Sequence, residues 1–186
     1  MTHPVPFPPA FLTYARMPND EENERIRTFR RKLADEVEVH FARPISIFLD
    51  TTDIQTGQAW PDAISEKLDS SRLFIALLTP KFFQSEECRK EVEYFLKIEA
   101  NLNRDDLIIP VQYVAVDELG KRAGASQDLI DLMKKRQVLD GTFFRASSFR
   151  LQKVRNALET LAKQIGSRLL EFTETTASVE RTGPLQ

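Results

Sequence analysis

The apolar run LFIALLT at residues 73 to 79 leaves few folds open to this chain. It has no helical period, which is typical of a central strand that is covered on both faces in a parallel sheet. Pro80 ends the strand. Ser85 then predicts the start of a helix, because its hydroxyl accepts hydrogen bonds from the free amides of a first helical turn. The run therefore predicts a buried strand that is followed closely by a helix.

The same alternation of strand and helix continues along the chain. Further strands are predicted at residues 10–14, 43–50, 107–113 and 137–140, with helical patterns between them. Strands that alternate with helices form βαβ units with right-handed crossovers and a parallel sheet. We therefore expect an α/β fold of the flavodoxin-like type, with a five-stranded parallel sheet and helices on both faces.

The length of 186 residues suits one domain with a core of ordinary size. Residues 1–9 are predicted as a proline-rich lead and residues 10–170 as the domain. Residues 171–186 have few large apolar groups and are predicted as a flexible tail or linker. No segment has the pattern of a signal peptide or a membrane span, so we expect a soluble protein without a membrane partner.

Composition excludes several classes of partner and site. The net charge is -2, and no basic patch is interleaved with aromatic residues, so we expect no nucleic-acid partner. The single cysteine excludes an intrachain disulfide and fits a reducing cytoplasm. Two distant histidines and one cysteine do not have the spacing of a zinc cluster, so no metal site is expected.

Glu91 is the candidate functional carboxylate of the helix that starts at Ser85. It lies at the border of the apolar stripe that includes Cys88, so we expect it to be neither fully solvated nor buried. A helix start at the carboxyl end of a parallel strand is where open α/β sheets bind ligands. On position alone, the ordinary interpretation is a half-exposed helical glutamate near Arg89 or Lys90.

Three separated motifs resemble the Toll/interleukin-1 receptor (TIR) domain family. These are FLTY at residues 11–14, FLD at residues 48–50 with Gly57 and Trp60, and the trio Ser85, Cys88 and Glu91. The resemblance covers residues 10 to 170. The loop at residues 51–57 lacks the proline of animal receptor and adaptor members, so the chain is most similar to the stand-alone prokaryotic type that cleaves NAD+.

The resemblance implies an NAD+ glycohydrolase that releases nicotinamide and gives ADP-ribose or cyclic ADP-ribose. Its activity would depend on TIR self-assembly, in defence or cell-death signalling in the cytoplasm. Glu91 would be the catalytic residue and would stabilise an oxocarbenium-like transition state. NAD+ would be a substrate, and no cofactor is implied. The expected partners are NAD+, other copies of the domain, another TIR protein or a sensor attached at the C-terminal end.

Five further residues are candidate substrate contacts: Tyr14, Arg16, Asp50, Gly57 and Trp60. Tyr14 and Arg16 would contact the nicotinamide side or the pyrophosphate of NAD+. Each of the five also has an ordinary interpretation. This is core packing for Tyr14 and Trp60, a solvated side chain for Arg16, a brace for the loop for Asp50, and a turn for Gly57.

Two other functions stay open. The first is a non-catalytic module that binds other TIR domains through the loop at residues 51–57. The second, a receiver-like phosphoacceptor domain, is weaker because the acidic pair expected after its first strand is absent. A cysteine hydrolase is disfavoured because Cys88 has no evident activating partner. A Rossmann-type dinucleotide site is disfavoured because no glycine-rich motif follows the first strand.

Overall fold

Five parallel strands alternate with helices in the computed structural model, which describes residues 5–49, 62–115 and 126–181. The strands are β1 (Ala10–Thr13), β2 (Ile47–Leu49), β3 (Leu73–Leu78), β4 (Ile108–Gln112) and β5 (Leu139–Asp140). The helices are α1 (Asp20–Phe41), α2 (Asp62–Ser70), α3 (Glu86–Asn101), α4 (Gln127–Lys134), α5 (Thr142–Ala146) and α6 (Gln152–Arg181). A short 3-10 turn, Phe82–Gln84, precedes α3.

The strand order is β2-β1-β3-β4-β5, and every pairing is parallel. This is the order of a flavodoxin-like sheet, so the predicted fold class is confirmed. The chain first adds β2 on one side of β1 and then adds β3 on the other side, so the strand order reverses between β1 and β3. These two strands pair in parallel, with Ala10 opposite Leu73 and Thr13 opposite Ala76. In open α/β sheets, ligands bind outside the carboxyl ends of the strands at such a reversal.

The centre of the core lies where β1 and β3 meet α3. All the side chains of β1 and β3 are buried. The ring of Phe74 stacks on Phe11 at 5.8 Å between centroids and packs against Phe95 of α3 at 5.1 Å. These contacts fix the position of α3 relative to the two central strands.

Side-chain caps start both α1 and α3. Asn19 accepts a hydrogen bond from the amide of Glu22 at 2.8 Å, and Ser85 accepts one from the amide of Cys88 at 3.2 Å. Each cap satisfies an amide that has no partner within its own helix. The helix start predicted at Ser85 is therefore confirmed.

Residues 171–181 lie in α6, which continues to Arg181. The flexible tail or linker predicted over residues 171–186 stays a prediction. The large apolar groups end near Phe172, but loss of amphipathic pattern does not itself break a helix. The first glycine or proline beyond that point is Gly183. The outer boundaries of the domain stay a prediction.

No helix within the described residues combines the length and the hydropathy that a membrane span requires.

Candidate functional site

Glu91 lies in the second turn of α3 and is only 1 % exposed. The sequence predicted a half-exposed residue, and this prediction is wrong. The buried stripe of α3 is wide enough to include Glu91, which lies between Cys88 and Val92 on the side of the helix that faces the sheet. Glu91 is therefore a carboxylate within the core, at the carboxyl edge of the two central strands.

The hydroxyl of Thr13 donates a hydrogen bond to Oε2 of Glu91. Thr13 is the last residue of β1 and is fully buried. The same hydroxyl lies 3.7 Å from Sγ of Cys88. A carboxylate is costly to bury without a hydrogen-bonding partner, so this contact stabilises Glu91 in place. It also connects the carboxyl end of β1 to α3.

Thr13 is a site residue that the sequence reasoning missed. It belongs to the FLTY motif, in which only Tyr14 was predicted to contact a substrate. A signal was present, because side chains alternate across a strand and Thr13 is the polar residue on the same face as Phe11. A hydroxyl at the carboxyl end of a fully buried strand marks a position that needs a polar partner.

Tyr14 and Arg16 follow β1 at the same edge of the sheet. Tyr14 is 8 % exposed, which agrees with packing in the core, whereas Arg16 is exposed. The backbone carbonyl of Arg16 accepts a hydrogen bond from Nζ of Lys81 at 2.7 Å. This bond joins the segment after β1 to the segment after β3. Contact between Tyr14 or Arg16 and a substrate stays a prediction.

Asp50, Gly57 and Trp60, the other predicted substrate contacts, lie outside the described residues. Their roles stay predictions.

Arg89 lies on the outer side of α3 and pairs away from Glu91. Its guanidinium lies 2.9 Å from Oδ2 of Asp128 in α4 and 3.3 Å from Oε1 of Glu93. The hydroxyl of Ser126 and the charge of Arg89 lower the pKa of Asp128 to about 2. The charge of Arg89 is thus directed toward the start of α4. This differs from the ordinary interpretation, in which Arg89 is the neighbour of Glu91.

Glu99 is a second buried carboxylate, and it provides a structural comparison for Glu91. Its Oε1 accepts hydrogen bonds from the amides of Leu107 and Ile108 at 2.8 and 3.0 Å. Both carboxylate oxygens also pair with Arg136, at 3.0 and 2.6 Å. Such a bidentate ion pair with two amide bonds satisfies the buried charge. Glu91, by contrast, accepts a hydrogen bond from the neutral hydroxyl of Thr13 in β1.

The chain has a flavodoxin-like sheet, and the buried side chain of Glu91 lies beside the carboxyl ends of its central strands. α/β domains of this class bind ligands at that edge of the sheet, where the strand order reverses. The family model described as TIR domain matches residues 11–143, which run from β1 to the start of α5 and include Glu91. The chain therefore belongs to the TIR domain family, as the three motifs predicted. Its assignment to the stand-alone prokaryotic type stays a prediction.

Among solved structures, the chain is similar to the TIR domains in the structure of the activated Roq1 resistosome directly recognizing the pathogen effector XopQ. The two share 17 % identity with a TM-score of 0.42, over 83 % of this chain and 82 % of that chain. Among curated protein sequences, no relative matches.

Proposed function

We propose that the chain is an NAD+ glycohydrolase in which Glu91 is the catalytic carboxylate. The observation that carries this proposal is the buried Glu91 carboxylate, which Thr13 holds at the carboxyl edge of β1 and β3. Membership of the TIR family, which includes enzymes that cleave NAD+, supports it. The strand reversal at this edge supports it further, because open α/β sheets bind ligands there.

The chemistry requires one carboxylate and no general acid. The bond between C1′ of the ribose and the nicotinamide nitrogen breaks, and its electron pair stays on that nitrogen. Nicotinamide leaves as a neutral ring, so no group needs to protonate it, unlike the leaving alcohol of ordinary glycoside hydrolysis. The ribose then carries oxocarbenium character, which the negative charge of Glu91 stabilises. Water adds to C1′ and releases a proton, giving ADP-ribose. Attack by an adenine nitrogen instead gives the cyclic product.

The buried setting of Glu91 strengthens this electrostatic stabilisation. A charge that is removed from water interacts more strongly with a developing positive charge than a solvated one does. The hydrogen bond from Thr13 fixes the carboxylate before the reaction, so less reorganisation accompanies the transition state.

The burial of Glu91 also supports control by self-assembly. At 1 % exposure, the carboxylate is reached by NAD+ only when side chains around it move. We infer that contact with a neighbouring protomer moves these side chains. We also infer that the loop at residues 51–57 of one protomer completes the site of the next. Activity then depends on protein concentration. We place this activity in the cytoplasm, in defence or cell-death signalling. Another TIR protein or a sensor attached at the C-terminal end is its further proposed partner.

A non-catalytic TIR interaction module is the second candidate function. The same 1 % exposure favours it, because a carboxylate that bonds a core hydroxyl can serve packing alone. In that case the chain binds other TIR domains and leaves NAD+ intact.

The test is nicotinamide release from NAD+ by the purified chain, over a wide concentration range and with forced clustering. Glu91→Gln removes the charge but keeps the shape and a hydrogen-bonding side chain. Glu93→Gln is the matched control, because Glu93 lies on the same helix, is exposed and pairs with Arg89. We expect loss of about 10²-fold or more in kcat for Glu91→Gln. Glu93→Gln should keep the rate of the parent.

Equal activity in the Glu91→Gln variant, at matched thermal stability, would remove Glu91 from the catalytic role. A clustered parent that leaves NAD+ untouched would overturn the enzyme proposal and favour the interaction module.

A further inference from the structure

Three side chains with metal-ligating atoms meet between α1 and α6. Glu36 and His40 are one helical turn apart on α1, and Glu159 faces them from α6; their ligand atoms all lie within 4.8 Å of one another. Nε2 of His40 is 3.2 Å from Oε1 of Glu36 and 3.8 Å from Oε1 of Glu159. All three side chains are partly exposed, so an ion from solution can reach them.

The spacing of these atoms fits a tetrahedral metal ion. Two ligand atoms that each lie about 2.1 Å from a tetrahedral zinc ion are about 3.4 Å apart. The two distances from His40 lie on either side of that value. An ion therefore fits between Nε2 and the two carboxylates with small side-chain movements. Water can occupy the remaining position, since a site with three protein ligands is open at the fourth.

We propose that Glu36, His40 and Glu159 form a binding site for a divalent transition-metal ion such as Zn²⁺, which joins α1 to α6. The imidazole favours Zn²⁺ and similar ions over Mg²⁺ and Ca²⁺, which prefer oxygen ligands alone. The sequence could not indicate this site, because Glu159 is far from Glu36 and His40 along the chain and reaches them only through helix packing. None of the three belongs to the Glu91 site.

Lys163 competes with the metal ion for Glu159. Its Nζ lies 2.6 Å from Oε1 of Glu159, and this hydrogen bond and charge lower the pKa of that carboxyl. Lys163 is 55 % exposed, so its ammonium can move into water when the ion binds.

The bound ion should stabilise the folded chain because its ligands come together only when α1 and α6 are packed. Their packing buries Val37 of α1 and Leu158 of α6, the neighbours of Glu36 and Glu159 in sequence. A ligand that binds only the folded state raises its stability by mass action. At a free metal concentration of 100 times Kd, we expect Tm to rise by about 5–10 °C.

The test is calorimetric titration of the purified full chain with Zn²⁺, together with thermal unfolding with and without the ion. His40→Ala should weaken the site by about tenfold or more, since loss of even an indirect metal contact has an effect of 10- to 100-fold. His3→Ala is the matched control, because it removes the other histidine of the chain, and it should leave binding unchanged. Lys163→Gln should tighten binding by removing the competing charge.

Glu159→Gln provides a second variant, because it keeps the size of the side chain if His40→Ala folds poorly. It should weaken Zn²⁺ binding and remove the rise in Tm as His40→Ala does. The proposal is overturned if the parent does not bind Zn²⁺, or if both variants fold and bind it as the parent does. These measurements require no NAD+ turnover, so they stand apart from the proposed enzyme activity.

Discussion

The hydroxyl of Thr13, at the carboxyl end of β1, donates a hydrogen bond to the carboxylate of Glu91 in α3. Both residues are buried, and Thr13 also pairs with Ala76 through the backbone of β3. The position of the carboxylate is therefore set by the two central strands as well as by its own helix. A group whose rotamer is fixed by packing and a hydrogen bond is suited to act on a transition state without rearranging.

Replacing Thr13 with valine tests this relationship. Valine keeps the shape of the side chain but removes the hydroxyl, so the buried carboxylate loses a donor. We expect the free energy of unfolding to fall by about 1–3 kcal/mol. If Glu91 is catalytic, we also expect kcat for NAD+ to fall by about tenfold or more, the equivalent of 1.4 kcal/mol. Urea unfolding and nicotinamide release measure the two effects.

Thr13→Ser is the control for that substitution because it retains the hydroxyl. It should recover most of kcat while losing some packing of the methyl group. An unchanged unfolding free energy and kcat in Thr13→Val would show that the hydrogen bond has no role.

The order of elements could be predicted from the sequence because each one carries a local signal. The run LFIALLT identifies β3, and Asn19 and Ser85 mark the helix starts through hydrogen bonds that span only three residues. Such short-range rules operate within a single element. Alternation of the elements then limits the sheet to a parallel arrangement.

The burial of Glu91 and the role of Thr13 could not be predicted in the same way. Both depend on how α3 packs against β1, between residues that are distant in sequence. Helical periodicity gave the direction of the apolar stripe of α3 but not its width, so Glu91 was assigned to the border.

Pro110 is a similar case. A proline inside a strand pattern predicts a weakly paired position, yet Pro110 pairs with Ala76 of β3. β5 begins opposite Val111, so the other side of β4 needs no donor at Pro110.

Arg136 and Glu99 provide a test of structural burial away from the candidate site. Arg136→Ala leaves the buried Glu99 carboxylate with backbone amides alone. We expect this substitution to lower the free energy of unfolding by about 3–5 kcal/mol, as breaking one side of a buried ion pair does. Urea unfolding measures the loss.

Glu99→Gln should cost less than Arg136→Ala, because the glutamine oxygen can still accept from Leu107 and Ile108. The double variant should lose less unfolding free energy than the sum of the two single losses. The glutamine at position 99 carries no charge, so no uncompensated charge is left when Arg136 is absent. Strict additivity in this cycle would contradict the pairing.

The ion pair between Arg104 and Asp106 predicts a dependence of stability on acidic pH. Arg104 donates to both carboxylate oxygens, at 2.6 and 2.7 Å, and lowers the pKa of Asp106 below its usual 3.8. A lowered pKa in the folded state means that the pair contributes its full stability above the usual pKa. This contribution disappears as the pH falls through the folded pKa. The contribution is about 1 kcal/mol or less, because both side chains are partly exposed.

Asp106→Asn should therefore lower stability near pH 7 and reduce the loss of stability between about pH 4 and pH 2. Unfolding in urea at several pH values compares the parent with the variant. Parallel pH profiles for the two proteins would show that Asp106 does not contribute to the acid sensitivity.

Gly166 and Phe41 provide the last prediction, which concerns the packing of α1 against α6. A Cβ atom at Gly166 would overlap the ring of Phe41, so Gly166→Ala forces the ring to move. Alanine in place of glycine favours a helix by about 1 kcal/mol, whereas overpacking costs about 1–3 kcal/mol. The ring also packs edge-on against Phe7 at 5.7 Å, which limits how far it can shift. We expect overpacking to prevail, with a net loss of about 1–2 kcal/mol.

In a Phe41→Ala background the overlap is absent, so the same Gly166→Ala change should be neutral or stabilising by up to about 1 kcal/mol. Thermal unfolding of the four proteins measures both effects, and a loss of equal size in the two backgrounds would show that Phe41 is not the reason that glycine is required.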